Sequence, residues 1–387
     1  MQKLMMDALK EIYEFQQNPQ RAIKTYYEMN NLDDGLFPII LSKEAINNAI
    51  SELDEKTKSS IDELSNRLDK LNNEFLKGIS NPVNALDISY LYKPLERIGI
   101  FVPYKLPSTA YTFLSAAKAS GVKNISVYLA FSKNEQKFDN ASIYVAQKYG
   151  AEIICGPAKY GFPALAFGVN GVFDKSDKIF GPCGQFLNII KQLSALIAGC
   201  DSDMSAGPSD LTIITDNIEN IGQIELDLLS QLDHGPDSKA FLILINQKYK
   251  TNNDKINQCL IDGKIKILNF DNWYDGIMEI NKLAPETVVI YSKSDENIKI
   301  AKDSIVSAGV CYVNCINSLG DYGAIGRGCA DPTGKLSKSQ SGISPLMFMK
   351  IVPIVEAKNI DVSIKRSGAY IAQYENLENH QRAIEGE

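Results

Sequence analysis

Ile98-Gly99-Ile100-Phe101-Val102-Pro103, a helical stretch over 111–120, and then Asn124-Ile125-Ser126-Val127-Tyr128-Leu129-Ala130 form the passage from which the fold is read. Two short apolar runs rich in β-branched and aromatic residues enclose a segment of helical character, and the alternation continues outward. Residues 140–149 read as the next helix and Glu152-Ile153-Ile154-Cys155 as the next strand. Residues 186–197 and 211–215 follow as helix and strand. A second series places strands at 240–245, 266–269, 288–291 and 310–313, with helical stretches near 217–234 and 297–307. Strands that alternate with helices pair in parallel under a helical cover. The sequence therefore predicts an α/β protein of two Rossmann-like lobes with parallel sheets and a cleft between them, flanked by helical N- and C-terminal segments.

Upstream, Ile61, Leu64, Leu68, Leu71 and Phe75 recur at spacings of three and four, which marks one face of a long helix over 42–78. Ser42 is placed to cap its start and Gly78 its end. Residues 1–17 carry Lys3, Asp7, Lys10 and Glu11 inside an apolar pattern, so they read as an amphipathic helix and not a signal peptide. From Leu346 onward the pattern is mostly helical, ending in an acidic tail over 375–387.

At 387 residues the chain can bury more than one core, and 44% hydrophobic with 22% charged residues is ordinary for a globular protein. The formal charge of -7 comes with interspersed lysines and acids. No basic cluster is present to neutralise phosphates, so a nucleic-acid partner is not expected. No apolar stretch is long enough to span a bilayer, and no membrane partner is expected. The seven cysteines, Cys155, Cys183, Cys200, Cys259, Cys311, Cys315 and Cys329, are scattered and odd in number. They read as thiols of a reducing cytoplasm, with Cys311 and Cys315 as small buried side chains of an apolar run.

There are only two histidines, His234 and His380. His234 lies in Leu228-Leu229-Ser230-Gln231-Leu232-Asp233-His234-Gly235-Pro236-Asp237-Ser238, where an amphipathic helix runs into a Gly-Pro stop. Gln231 and His234 are three apart and share a face of the last turn, where the helix dipole favours a cation. By itself Gln-x-x-His is a weak signal and reads better as a satisfied buried histidine. Two further runs accompany it, Lys178-Ile179-Phe180-Gly181-Pro182 and Ala206-Gly207-Pro208-Ser209-Asp210.

With these three runs in this order, the chain resembles the histidinol dehydrogenase family along almost its whole length. The resemblance implies a zinc ion held by Gln231, His234, Asp321 in Ser318-Leu319-Gly320-Asp321-Tyr322, and His380. The same residues, with Ser209 and Glu375, would meet the substrate. Glu286, in Pro285-Glu286-Thr287, matches the glutamate that activates water. Nitrogen and oxygen donors of this kind suit zinc in a functional site.

Several positions depart from the family. Thr287 stands where a proton-shuttling histidine follows the glutamate, and a hydroxyl does not accept a proton at neutral pH as an imidazole does. A further histidine expected after Asp321 is absent. Tyr104 and Lys105 replace paired glycines, and the family's tyrosine, glutamine and asparagine contacts to NAD fall on Phe101, Tyr160 and Gly184. The resemblance implies a first lobe of 24–100 and 209–342 with the zinc site, and a second of 101–208 on the NAD side. It further implies helical dimerisation segments at 1–23 and 343–369 and a tail, 370–387, that reaches the active site of the other subunit of a homodimer. The expected activity is a zinc-dependent oxidoreductase that oxidises a small metal-chelating alcohol, such as an amino alcohol, with NAD. The alternative is a non-redox zinc-dependent paralogue that binds or hydrolyses a small amine or imidazole compound.

Overall fold

The computed structural model describes residues 2–32, 40–79, 83–85, 87–131, 137–204, 207–219, 221–328, 331–356 and 360–386. It divides into a larger unit, Met1–Lys77 with Pro94–Phe348, and a smaller one, Gly78–Lys93 with Met349–Glu387. The larger begins with helices α1 (Gln2–Gln17), α2 (Pro19–Met29), α3 (Lys43–Ser51) and α4 (Glu55–Ile79). The single helix expected over 42–78 is thus two. Ser42 Oγ caps α3 by accepting from the Ala45 N–H at 3.1 Å. Asp54 then starts a second helix, its carboxylate accepting from the N–H and the hydroxyl of Thr57 at 2.9 and 2.7 Å. Gly78 falls inside α4 and ends nothing.

Strands β1 (Val83–Ala85) and β2 (Ile88–Pro94) follow and pair antiparallel. The first parallel sheet comes next. Its strands are β3 (Arg97–Val102), β4 (Asn124–Ala130), β5 (Glu152–Gly156), β6 (Lys178–Phe180) and β7 (Asp201–Ser202), in the order β5-β4-β3-β6-β7. They are connected by α5 (Pro107–Ala119), α6 (Asn140–Lys148), α7 (Ala158–Phe167) and α8 (Gln185–Ala198). Alternate residues sort to opposite faces, as a strand requires. Ile100, Val127 and Ile153 join Phe113 and Leu114 of α5, whereas Phe101, Tyr128 and Ile154 join Phe15 of α1, Tyr27 of α2 and Phe162 of α7. Gly99 shares the second face, and a Cβ there would stand 2.9 Å from Leu165 Cβ, so its bare backbone lets α7 approach.

The second sheet repeats the plan with β8 (Asp210–Thr215), β9 (Lys239–Ile245), β10 (Ile265–Phe270), β11 (Thr287–Tyr291) and β12 (Val310–Val313), ordered β10-β9-β8-β11-β12. Its helices are α9 (Ile221–Leu232), α10 (Asp254–Ile261), α11 (Trp273–Leu283) and α12 (Asp295–Ser304), and a short α13 (Ser318–Asp321) follows β12. Among the described residues all pairings in both sheets are parallel, and both layers of helices bury apolar side chains against them, which is why the strands read as continuous hydrophobic runs. The α/β fold with two parallel sheets is as expected from the alternation.

The smaller unit holds a sheet of order β1-β2-β13, with β13 at Met349–Val355, and two helices, α14 (Val362–Tyr374) and α15 (Glu378–Glu385). Residues 349–355 are a strand within the segment expected to be helical. Ile351, Val352, Ile354 and Val355 are β-branched, and Pro353 has no N–H to give a helix. No helix among the described residues is long and apolar enough to cross a membrane.

Candidate functional site

The N-terminal edge of the second sheet gathers the residues singled out from sequence. Strands β8 and β11 are neighbours with Thr287 opposite Leu211, so Glu286 and Asp210 enter side by side. The Glu286 N–H donates to Asp210 Oδ1 at 2.9 Å. Ser209, one residue earlier, donates its hydroxyl to Glu286 Oε2. After β8 the chain crosses back through α9, whose C-terminal end returns to this same edge. There Gln231, only 2% exposed, donates Nε2–H to Ser209 Oγ at 2.6 Å. The His234 N–H reaches Gln231 O at 3.3 Å, extending the helix by a turn, and Gly235 then leaves at φ 143°, a conformation that favours glycine. His234 Nδ1 lies 3.4 Å from Ser209 Oγ, and its Nε2 lies 3.7 Å from Asp321 Oδ2 at the end of α13.

Charge is concentrated here. Burial pushes the Glu286 carboxyl up to about 8; the Ser209 hydrogen bond and His234 oppose that rise while Asp331 and Asp210 add to it. The facing Asp321 carboxylate holds the His234 imidazole above its ordinary value, against its partial burial. Burial also raises Asp210, to about 6. A carboxyl group with a value near neutrality, beside a hydroxyl and an imidazole, can hold or take a proton at working pH.

Five of the expected residues, Ser209, Gln231, His234, Glu286 and Asp321, therefore meet in one place. Thr287 is buried at the first position of β11. Glu375, the C-cap of α14, and His380, on α15, are exposed side chains of the smaller unit. Among the described residues there is no group of three or more His, Cys, Asp or Glu side chains that could hold a metal. The donors that converge in the larger unit are one amide, one imidazole and one carboxylate. These are donors of the kinds that zinc accepts, with His234 Nε2 and Asp321 Oδ2 3.7 Å apart. Asp210 and Asp227 escaped the sequence reading. Asp227 could have been found, because it occupies the buried stripe Ile224, Asp227, Leu228, Gln231 of α9, where an acid is out of place.

The positions matched to NAD contacts are different in kind. Phe101 is 1% and Tyr160 2% exposed. The Phe101 ring lies 4.7 Å from Phe162 and 6.2 Å from Tyr128, and Tyr160 lies 5.5 Å from Phe15 of α1. Lys159, next to it, is tied to Glu11 of α1 at 2.6 Å. Only Gly184, the N-cap of α8, is exposed. Lys105 keeps a φ of 59°, in the left-handed region where glycine is at ease, and brings its side chain over the Tyr104 ring. These residues do not fit a dinucleotide held as the family holds it.

The histidinol dehydrogenase family model matches residues 2–386. Histidinol dehydrogenase of Thermococcus kodakarensis is 31% identical over 301 residues, covering 76% of this chain and 76% of that protein. The histidine biosynthesis trifunctional protein of Candida albicans is 31% identical over 318 residues, 76% of this chain, which spans 37% of that longer protein. A crystal structure of histidinol dehydrogenase from Elizabethkingia anophelis superposes with a TM-score of 0.84 at 24% identity, over 99% of this chain and 91% of that one, and shows the same fold. The chain belongs to the histidinol dehydrogenase family of oxidoreductases.

Proposed function

We propose that this chain is a zinc-dependent oxidoreductase that oxidises a small alcohol able to chelate the metal, such as an amino alcohol, passing its hydride to NAD held otherwise than by the family's usual contacts. The observation that supports it is the convergence of Ser209, Gln231, His234, Glu286 and Asp321 at one sheet edge. Gln231, His234 and Asp321 would hold zinc, with His380 from the tail of a second copy as fourth donor and Glu375 beside the substrate. Bound zinc would supply a Lewis acid that polarises the substrate oxygen. Ser209 orients that oxygen by its hydroxyl, itself fixed between Gln231 and Glu286. Glu286 Oε2, which accepts from the Ser209 hydroxyl, takes the proton released from the alcohol, or from a water. The scattered free thiols are consistent with a cytoplasmic enzyme.

Phe101 and Tyr160 are packed in a core, so neither is assigned a contact to NAD. That burial favours a second reading, in which the same zinc site binds or hydrolyses a small amine or imidazole compound without redox chemistry. Assay of the zinc-loaded protein with histidinol and related amino alcohols, with and without NAD, separates the two. NADH formation supports the oxidoreductase. Turnover of an amine or imidazole compound without NAD supports the second, and no turnover of either kind would remove both.

A further inference from the structure

Asp210, at the first position of β8, makes one side-chain hydrogen bond among the described residues: its Oδ1 accepts from the Glu286 N–H at 2.9 Å. Pairing of β8 with β11 begins at Leu211 and Thr287, so Glu286 stands one residue outside the register. Among the described residues its N–H meets no backbone acceptor, and the Asp210 carboxylate takes the place of one. On the other side, the Glu286 carbonyl accepts from the Val310 N–H at 3.0 Å and the Pro285 carbonyl from the Gly309 N–H at 3.2 Å, at the entry of β12. Gly309 comes so close that a Cβ there would stand 2.6 Å from Glu286 O. The backbone of Glu286 is thus fixed towards β12 through its carbonyl and towards β8 through Asp210.

The residue before Asp210 completes the hold. The Ser209 hydroxyl donates to Glu286 Oε2, and the Ser209 carbonyl accepts from the Lys239 N–H at 3.2 Å, which ties this strand entry to β9. Two adjacent residues therefore meet one glutamate, Asp210 at its backbone and Ser209 at its carboxylate. A long side chain places its reacting atom only as well as the backbone that carries it is held. We infer that Asp210 is a positioning residue, which by fixing the Glu286 N–H sets where the Glu286 carboxylate meets Ser209 and the substrate. The inference rests on the proposed reading of Glu286 as proton acceptor in the oxidation. A carboxylate that served only to close an open strand end would, when removed, lower stability and leave turnover as it was.

The test uses the full chain loaded with zinc, assayed on histidinol and related amino alcohols with NAD. It reads kcat and KM beside zinc content and hydrogen exchange of the Glu286 amide. D210A lowers kcat about ten- to hundredfold, as a misplaced reacting group does, with KM and zinc content near wild type and the Glu286 amide newly open to exchange. D210N, which keeps an Oδ1 to accept from that amide, restores most of kcat and of the protection. A folded D210A with wild-type kcat overturns the inference. A D210N as slow as D210A overturns it too, since the charge and not the hold on the N–H would then matter. Should D210A not fold, D210V removes the acceptor with a side chain suited to a strand; a lower kcat is expected there, and an unchanged one overturns the inference in that case. A wild type that oxidises none of these alcohols defeats the oxidoreductase reading and the positioning role with it. A wild type that oxidises one, with D210A indifferent, defeats the positioning role alone.

Discussion

Glu286 shows how a side chain of ordinary appearance acquires a task. In sequence it is a carboxylate at the start of a strand, and only the resemblance lifts it above the surface. The structure adds that Ser209 donates to it and that burial carries its carboxyl to about 8. Replacing it by glutamine keeps the hydrogen-bond acceptor and removes the proton carrier. E286Q should lose about 10²–10⁴ in turnover while zinc content stays at the wild-type level. Metal analysis beside the activity assay checks both halves, and full turnover would place the proton elsewhere. At this scale the sequence was most legible for residues inside a contiguous motif, such as Gln231 and His234. The bond between Ser230 and Ser318 could not be found that way, because it spans α9 and α13, which come together only through tertiary packing.

At the scale of elements, strands buried on both faces were readable within a residue or two. Residues 124–130 match β4, whose Ile125 to Ala130 are all buried, and 310–313 match β12, an edge strand of Val, Cys, Tyr and Val that is only partly buried and leaves Cys311 exposed. The break between α3 and α4 falls where the apolar spacing lapses: residues 54–60, between Leu53 and Ile61, carry no apolar side chain, and Asp54 caps the new helix. Helix α4 is then pinned to α6 by Asp62, which accepts from the Tyr144 hydroxyl at 2.9 Å and from Lys148 at 2.7 Å. Partial burial works to raise the Asp62 carboxyl, and the Lys148 and Tyr144 hydrogen bonds outweigh it and hold it below the ordinary 3.8. A group depressed in the folded state stabilises above its unfolded value and loses that contribution as pH falls through the folded one. D62N should cost up to about 1 kcal/mol at neutral pH, as a half-exposed pair does, and the gap should close as the pH falls below the ordinary 3.8 and through the depressed folded value. Denaturant midpoints across pH test this, and a gap that persists in acid contradicts it. The aromatic layer under α1 gives a sharper expectation. F101A should lose about 3–5 kcal/mol, as a buried Phe truncation does, and neither it nor the wild type should bind NAD tightly by calorimetry.

For the whole molecule, the two-sheet architecture was legible because the same alternation of strand and helix appears twice along the chain. The smaller unit was not, since its strands β1 and β2 lie far in sequence from β13 and carry no repeat that announces their pairing. The proposed homodimer with exchanged tails follows from the resemblance, and from a short helix, α15, that has no buried residue of its own. If tails are exchanged, mixing a Q231A chain with an H380A chain regenerates one intact zinc site per heterodimer, while the other site carries both lesions. Without exchange every site keeps one lesion and zinc is not recovered. The account as a whole stands on the metal. Zinc counted per chain in the purified wild type and in H234A is its most direct test: about one ion against essentially none is the expected result, and full occupancy in H234A would contradict it.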